Sequence, residues 1–108
     1  MSVDQTEVVD LIGIDEHSDD VILTISDHLE WGSGEHLLLL QEKLNTYLSF
    51  VESGEILESY SKARGRDVLI NVVCKYKPDD SAISFLGKVA SIVEGAGMKF
   101  KYEVFSED

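Results

Sequence analysis

The stretch EILESYSKARGRDVLINVVCKYKPDD, Glu55–Asp80, decides how many strands the chain has and so which fold it adopts. Its second half is the clearest strand in the sequence. Val68, Ile70, Val72, Cys74 and Tyr76 fall on one face and Leu69, Asn71, Val73, Lys75 and Lys77 on the other, the period-two pattern of a pleated strand. Pro78 ends the run because it brings no ladder donor. The first half, Glu55–Tyr60, reads as a short strand, and Ser61–Asp67 as a basic turn with Gly65 near its centre.

Working outward, residues 33–53 change to a helical period, with Leu37, Leu40, Leu44, Tyr47 or Leu48, and Val51 on one stripe. Ser33 can cap the amino end, Glu35 suits the first turn, and Gly54 supplies a left-handed stop. Before this helix, VVDLIGID and VILTISDHL read as two strands joined by the polar turn EHSDD, with Val21, Leu23 and Ile25 facing the core. The faces of the first strand stay open, since Val8, Ile12 and Ile14 compete with Val9 and Leu11. After Pro78, Asp79 or Asp80 caps a helix over 81–94 whose buried stripe is Ile83, Leu86, Val89/Ala90 and Val93. The glycines of EGAG end it, and MKFKYEVF follows as a strand with Met98, Phe100, Tyr102 and Val104 inward and Lys99, Lys101 and Glu103 outward.

The order is β-β-α-β-β-α-β. It predicts one α+β domain over residues 1–108, a two-layer sandwich with both helices on one face of a mainly antiparallel five-stranded sheet. Without its first strand the order is that of the ferredoxin-like fold. There the first strand of the series is interior, so either the N-terminal strand lies elsewhere or the sheet has another order.

Composition agrees with one soluble domain. The chain has 108 residues, 44% of them hydrophobic and 28% charged, enough for a single core and neither disordered nor fibrous. The longest apolar run is Leu37–Leu40, far short of the roughly 18 residues that a membrane span requires. The beginning, MSVDQTEVVD, lacks the basic end and apolar core of a secretory signal, and the single Cys74 cannot form an internal disulfide, so a cytoplasmic location is expected. The net charge of −12 is unevenly spread: residues 1–59 hold fourteen acids and one base, Lys43, whereas residues 60–108 hold seven acids and eight bases. An acidic field repels phosphates, which argues against nucleic acid as a partner.

Reactive side chains concentrate in SDHLEWGSGEH, Ser26–His36, where Asp27, His28, Glu30 and His36 are chemically suitable metal ligands. Their spacing is not supportive. His28 and His36 are eight apart across a strand-to-helix junction and match no H-x3-H or H-E-x-x-H pattern. The plainer reading puts His28 on the wet side of the strand, His36 on the first helical turn, and Trp31 as a plug at the end of the core. The turn with Asp15, Glu16, His17, Asp19 and Asp20 lacks the ligand order of a calcium loop. Cys74 lies on a core face, where a thiol behaves as a small hydrophobe. Lys75, Lys77, Lys99 and Lys101 project opposite the apolar alternation of their strands. If those strands are neighbours, the four form one basic patch for an anionic ligand or acidic surface; lysines on exposed strands also discourage stray pairing. No nucleophile elbow, phosphate loop or cofactor signature is present.

The segments VDLIGIDE, VILTISDHLEW, EHLLLLQEKLNTYLSFVESGEI and EGAGMKFKYEVF resemble a bacterial family of short acidic proteins grouped as a domain of unknown function. The likeness runs over roughly residues 3–105. It implies a bacterial, cytoplasmic, single-domain protein and brings no activity, so it carries over no functional residue. The expectation from the residues is a non-enzymatic module that binds a protein partner or itself, with an acidic N-terminal half. The other reading is a small-ligand or metal-binding protein that uses His28, Trp31 and His36.

Overall fold

The computed structural model describes residues 11–32 and 34–105. The chain opens with the hairpin of β1 (Leu11–Ile14) and β2 (Val21–Asp27), antiparallel, with Leu11 opposite Thr24 and Ile14 opposite Val21. Its turn closes on itself: the Asp15 N–H donates to the Asp20 carbonyl and the Asp15 carboxylate accepts from the His17 N–H, both at 2.9 Å. That N–H holds the Asp15 carboxyl below its ordinary range, so the acids of this loop organise backbone in water.

After β2 comes α1 (Gly34–Glu52), which buries His36, Leu40, Lys43, Leu44, Tyr47 and Phe50. Ser33, the expected cap, lies outside the described residues. Gly54 adopts the left-handed conformation (φ 83°), as its placement after the helix requires. It stops α1, but no strand follows.

Glu55–Tyr60 does not form a strand. Glu55–Ser59 is a short helix, α2, followed by a 3-10 turn at Ser61–Ala63. The Leu57 N–H donates to the Gly54 carbonyl and the Tyr60 N–H to the Ile56 carbonyl. The physical reason lies in the side chains: Ile56 is buried and Leu57 packs on the core as its immediate neighbour, an i, i+1 pair that a strand would send to opposite faces. Glu55, Glu58 and Ser59 at the remaining positions do not resist helix.

The remaining elements are β3 (Val68–Cys74), α3 (Asp80–Gly95) and β4 (Lys99–Val104). The sheet is four-stranded in the order β1-β2-β3-β4, with β2, β3 and β4 parallel and only β1 antiparallel. This corrects the mainly antiparallel five-stranded sheet and the ferredoxin-like order: losing one strand reverses every strand after it. Two parallel connections in succession, stepping in the same direction across the sheet, put α1 and α3 side by side on one face when both are right-handed. They share a groove between Leu44 and Leu48 of α1 and Phe85 and Ile92 of α3.

The core between helices and sheet consists of Val21, Leu23, Ile25, Val68, Ile70, Val72 and Cys74 from the strands, with Leu40, Leu44, Tyr47, Leu86 and Val93 above them. The Tyr47 hydroxyl reaches the Thr24 carbonyl at 2.8 Å. The carboxylate of Asp79 caps α3 by accepting from the Ala82 N–H at 2.8 Å, as expected. Four positions read as inward are not: Tyr76, Ile83, Tyr102 and Val104 are 38–45% exposed. β4 is an edge strand whose later residues stay exposed, so alternation there marks a face without covering it. Among the described residues no helix is long and apolar enough to cross a membrane.

Candidate functional site

The inward positions of β2 run Val21, Leu23, Ile25 and then Asp27, so the strand carries a carboxylate into the core, where it is 2% exposed. A buried charge needs a partner. His36, on the first turn of α1 and 3% exposed, supplies it: its Nε2 lies 2.7 and 2.6 Å from the two Asp27 carboxylate oxygens. The other ring nitrogen, Nδ1, lies 3.0 Å from the Glu30 carbonyl oxygen. A carbonyl can only accept, so Nδ1 donates, and the Nε2–carboxylate contact is a charge-assisted bond around one shared proton. Asp27 Oδ1 also accepts from the Leu29 N–H at 3.2 Å.

Trp31 closes the arrangement. Its ring stacks on His36 with centroids 4.0 Å apart and planes 24° apart, and its indole N–H donates to the Tyr76 carbonyl at 2.9 Å. The end of β2, the start of α1 and the chain leaving β3 are thereby tied at one point. The ring is half-buried and packs against the core.

Cys74 pairs with Asp27 across the parallel ladder and is fully buried. Burial, and secondarily the charge of Asp27, push its thiol up to about 12. At neutral pH the sulfur therefore stays protonated, and a nucleophilic thiolate is not available. Cysteine, histidine and aspartate thus meet at the carboxyl end of the parallel strands as a clasp, with both imidazole nitrogens engaged by protein oxygens.

The other histidine does not join them. His28 is exposed, whereas His36 is buried. Among the described residues no group of three or more His, Cys, Asp or Glu side chains is placed to hold a metal ion. The sequence reading took Asp27 only as a chemically suitable metal ligand and not as a core position. The signal was there, because it continues the buried alternation of Val21, Leu23 and Ile25.

The four lysines divide. β3 and β4 are neighbours, with Lys99 opposite Leu69 and Lys101 opposite Asn71, while Lys75 and Lys77 follow the end of β3. Lys99 bonds to the Asp20 carboxylate at 2.9 Å, with Asp67 at 3.8 Å, and these anions raise its pKa. Lys101 lies 3.9 Å from Glu103, and Lys75 sits 5.6 Å from the ring centre of Tyr76.

In comparisons with known proteins, the model of a family described as "Family of unknown function (DUF6572)" matches residues 1–106. No curated protein and no solved structure is similar enough to match.

Proposed function

The chain belongs to DUF6572, a family of unknown function, and for it we propose a non-enzymatic interaction module that engages a basic protein partner through the surface of its acidic N-terminal half. The observation that carries the reading is Lys43. It is the only lysine or arginine among residues 1–59, and it is buried at 0% exposure with its ammonium 5.6 Å from the Tyr47 ring centre. The exposed face that this half contributes therefore has acids, such as Glu35, Glu42, Glu52, Glu55 and Glu58, and no lysine or arginine among the described residues. Such a surface steers cationic partners and repels phosphate backbones. The location that suits this reading is the cytoplasm.

The test is capture on the immobilised chain at low and high salt, beside a variant carrying Glu42→Gln, Glu52→Gln, Glu55→Gln and Glu58→Gln. An electrostatic partner is retained at low salt, shed at high salt and weakened by the variant, which keeps its melting temperature. Retention that ignores both salt and the four substitutions removes the reading. The alternative of a metal or small ligand at 26–36 gains no support from His36, whose ring nitrogens already bond to Asp27 and Glu30.

A further inference from the structure

We propose that the outer edge of β4 is a self-recognition surface through which two copies pair antiparallel about Tyr102, joining their sheets into one of eight described strands. The proposal concerns a surface separate from the acidic half and does not depend on the partner proposed above.

The free edge is defined by the backbone. The Phe105 N–H donates to the Cys74 carbonyl at 2.7 Å, and in a parallel ladder a residue directs both its N–H and its C=O to the same neighbour. Odd residues of β4 thus bond to β3, and Phe100, Tyr102 and Val104 turn their N–H and C=O groups outward. Among the described residues no strand pairs with that side. The side chains there are accessible: Tyr102 is 40%, Val104 44% and Phe105 57% exposed.

An isolated edge of this kind pairs with any strand unless its side chains discriminate. Here they discriminate in favour of the same sequence. Antiparallel pairing about Tyr102 sets Tyr102 against its own copy, Phe100 against Val104, and Lys101 against Glu103. The three pairs of even residues are the ones whose backbone groups point outward, so each can exchange two hydrogen bonds with its opposite. Apolar residues then meet on the helix side, and opposite charges meet on the other side. Shifting the centre to Lys101 places two lysines face to face, and shifting it to Glu103 places two glutamates face to face. Of the registers centred on Phe100, Lys101, Tyr102 and Glu103, only the one about Tyr102 has no like-charge contact.

The rest of the molecule permits the approach. A twofold axis normal to the sheet keeps the helices of both copies on one side. Helical spacing puts Ile83, Gly87 and Ala90 of α3 on the flank away from its groove with α1, and Ile83 is 45% exposed. Repulsion is weakest here as well, because residues 60–108 carry seven acids and eight bases and β4 is the strand farthest from β1. Lys101, which deters a foreign strand, meets Glu103 when the partner is a second copy.

Sedimentation of the purified chain over a range of concentrations tests the proposal. The expected result is reversible association from 12.0 kDa to twice that mass. Lys101→Glu opposes two glutamates on each side of the axis and weakens association about tenfold or more, while Lys101→Glu with Glu103→Lys restores it. Melting temperatures of these surface variants establish that each remains folded. Tyr102→Cys fixes the register: residues facing themselves across the axis lie within disulfide reach, so mild oxidation links this variant as a dimer and links Lys101→Cys and Glu103→Cys poorly. Cys74 is buried and does not compete. A chain that stays monomeric at every concentration overturns the proposal, as does a dimer indifferent to Lys101→Glu or one cross-linked best through residue 101 or 103.

Discussion

Each end of the parallel strands carries an acid paired with a base, Asp20 with Lys99 at the amino end and Asp27 with His36 at the carboxyl end, yet the two pairs do different things. The lysine side chain of the first is 55% exposed and its bond to Asp20 is 2.9 Å long. Both side chains of the second are within 2% of full burial, and two further contacts, from Glu30 and Trp31, fix the imidazole. Water reaches the lysine of the first pair and weakens it, although the Asp20 carboxylate is only 10% exposed. The second has no water to fall back on, so removing one member leaves the other stranded. An acid–base pair is therefore informative about architecture only when its burial is known.

The largest contrast between the two ends is in the chemistry of the carboxyl end. With its thiol pushed up to about 12 from an ordinary 9.0, Cys74 is expected to react with iodoacetamide at pH 8 at least about a thousandfold more slowly in the folded chain than in urea. Mass spectrometry of timed quenches measures it, and comparable rates would mean that this end is wet. Next in size is Asp27→Ala, expected to cost about 3–5 kcal/mol in urea unfolding because it strands His36. The double variant Asp27→Ala/His36→Ala should cost less than the sum of the single ones by about 1–3 kcal/mol. Additive losses would show that the pair is not coupled. The smallest effect is expected from Lys99→Ala, a fall in melting temperature of no more than about 3 °C that fades with salt. The sign with pH follows from the raised pKa of Lys99: its contribution is complete below its ordinary value of 10.5 and disappears as pH climbs through the higher folded value. A melting temperature that drops as far for Lys99→Ala as for Asp27→Ala would abolish the distinction between the ends.

Alternation and helical period were legible wherever a side chain faces one clear environment. Val21, Leu23, Ile25, Val68, Ile70 and Val72 all lie in the core as read, and the Asp79 cap and the Gly54 stop are where the sequence puts them. Strand order was not legible, because period two reports which way a side chain points and nothing about which strand lies beside it. One five-residue segment, Glu55–Ser59, then controlled the direction of everything after it. Exposure along β4 was hidden for a related reason: an edge strand keeps its alternation even where its side chains stay exposed. At the clasp, the density of reactive residues in Ser26–His36 was visible, but the contact of Trp31 with the Tyr76 carbonyl joins positions 45 apart and needs the parallel register of β2 and β3 to arise.

Trp31 is the chain's sole tryptophan, and it lies flat against an imidazole. The tryptophan emission of the protein is thus a single-site signal from the clasp. Stacking on His36 dims it, and parting the two rings brightens it, so a spectrometer can follow this one junction in an unlabelled sample. Loosening of the carboxyl end, whether by heat, by substitution or by a bound partner, is expected to register in that emission.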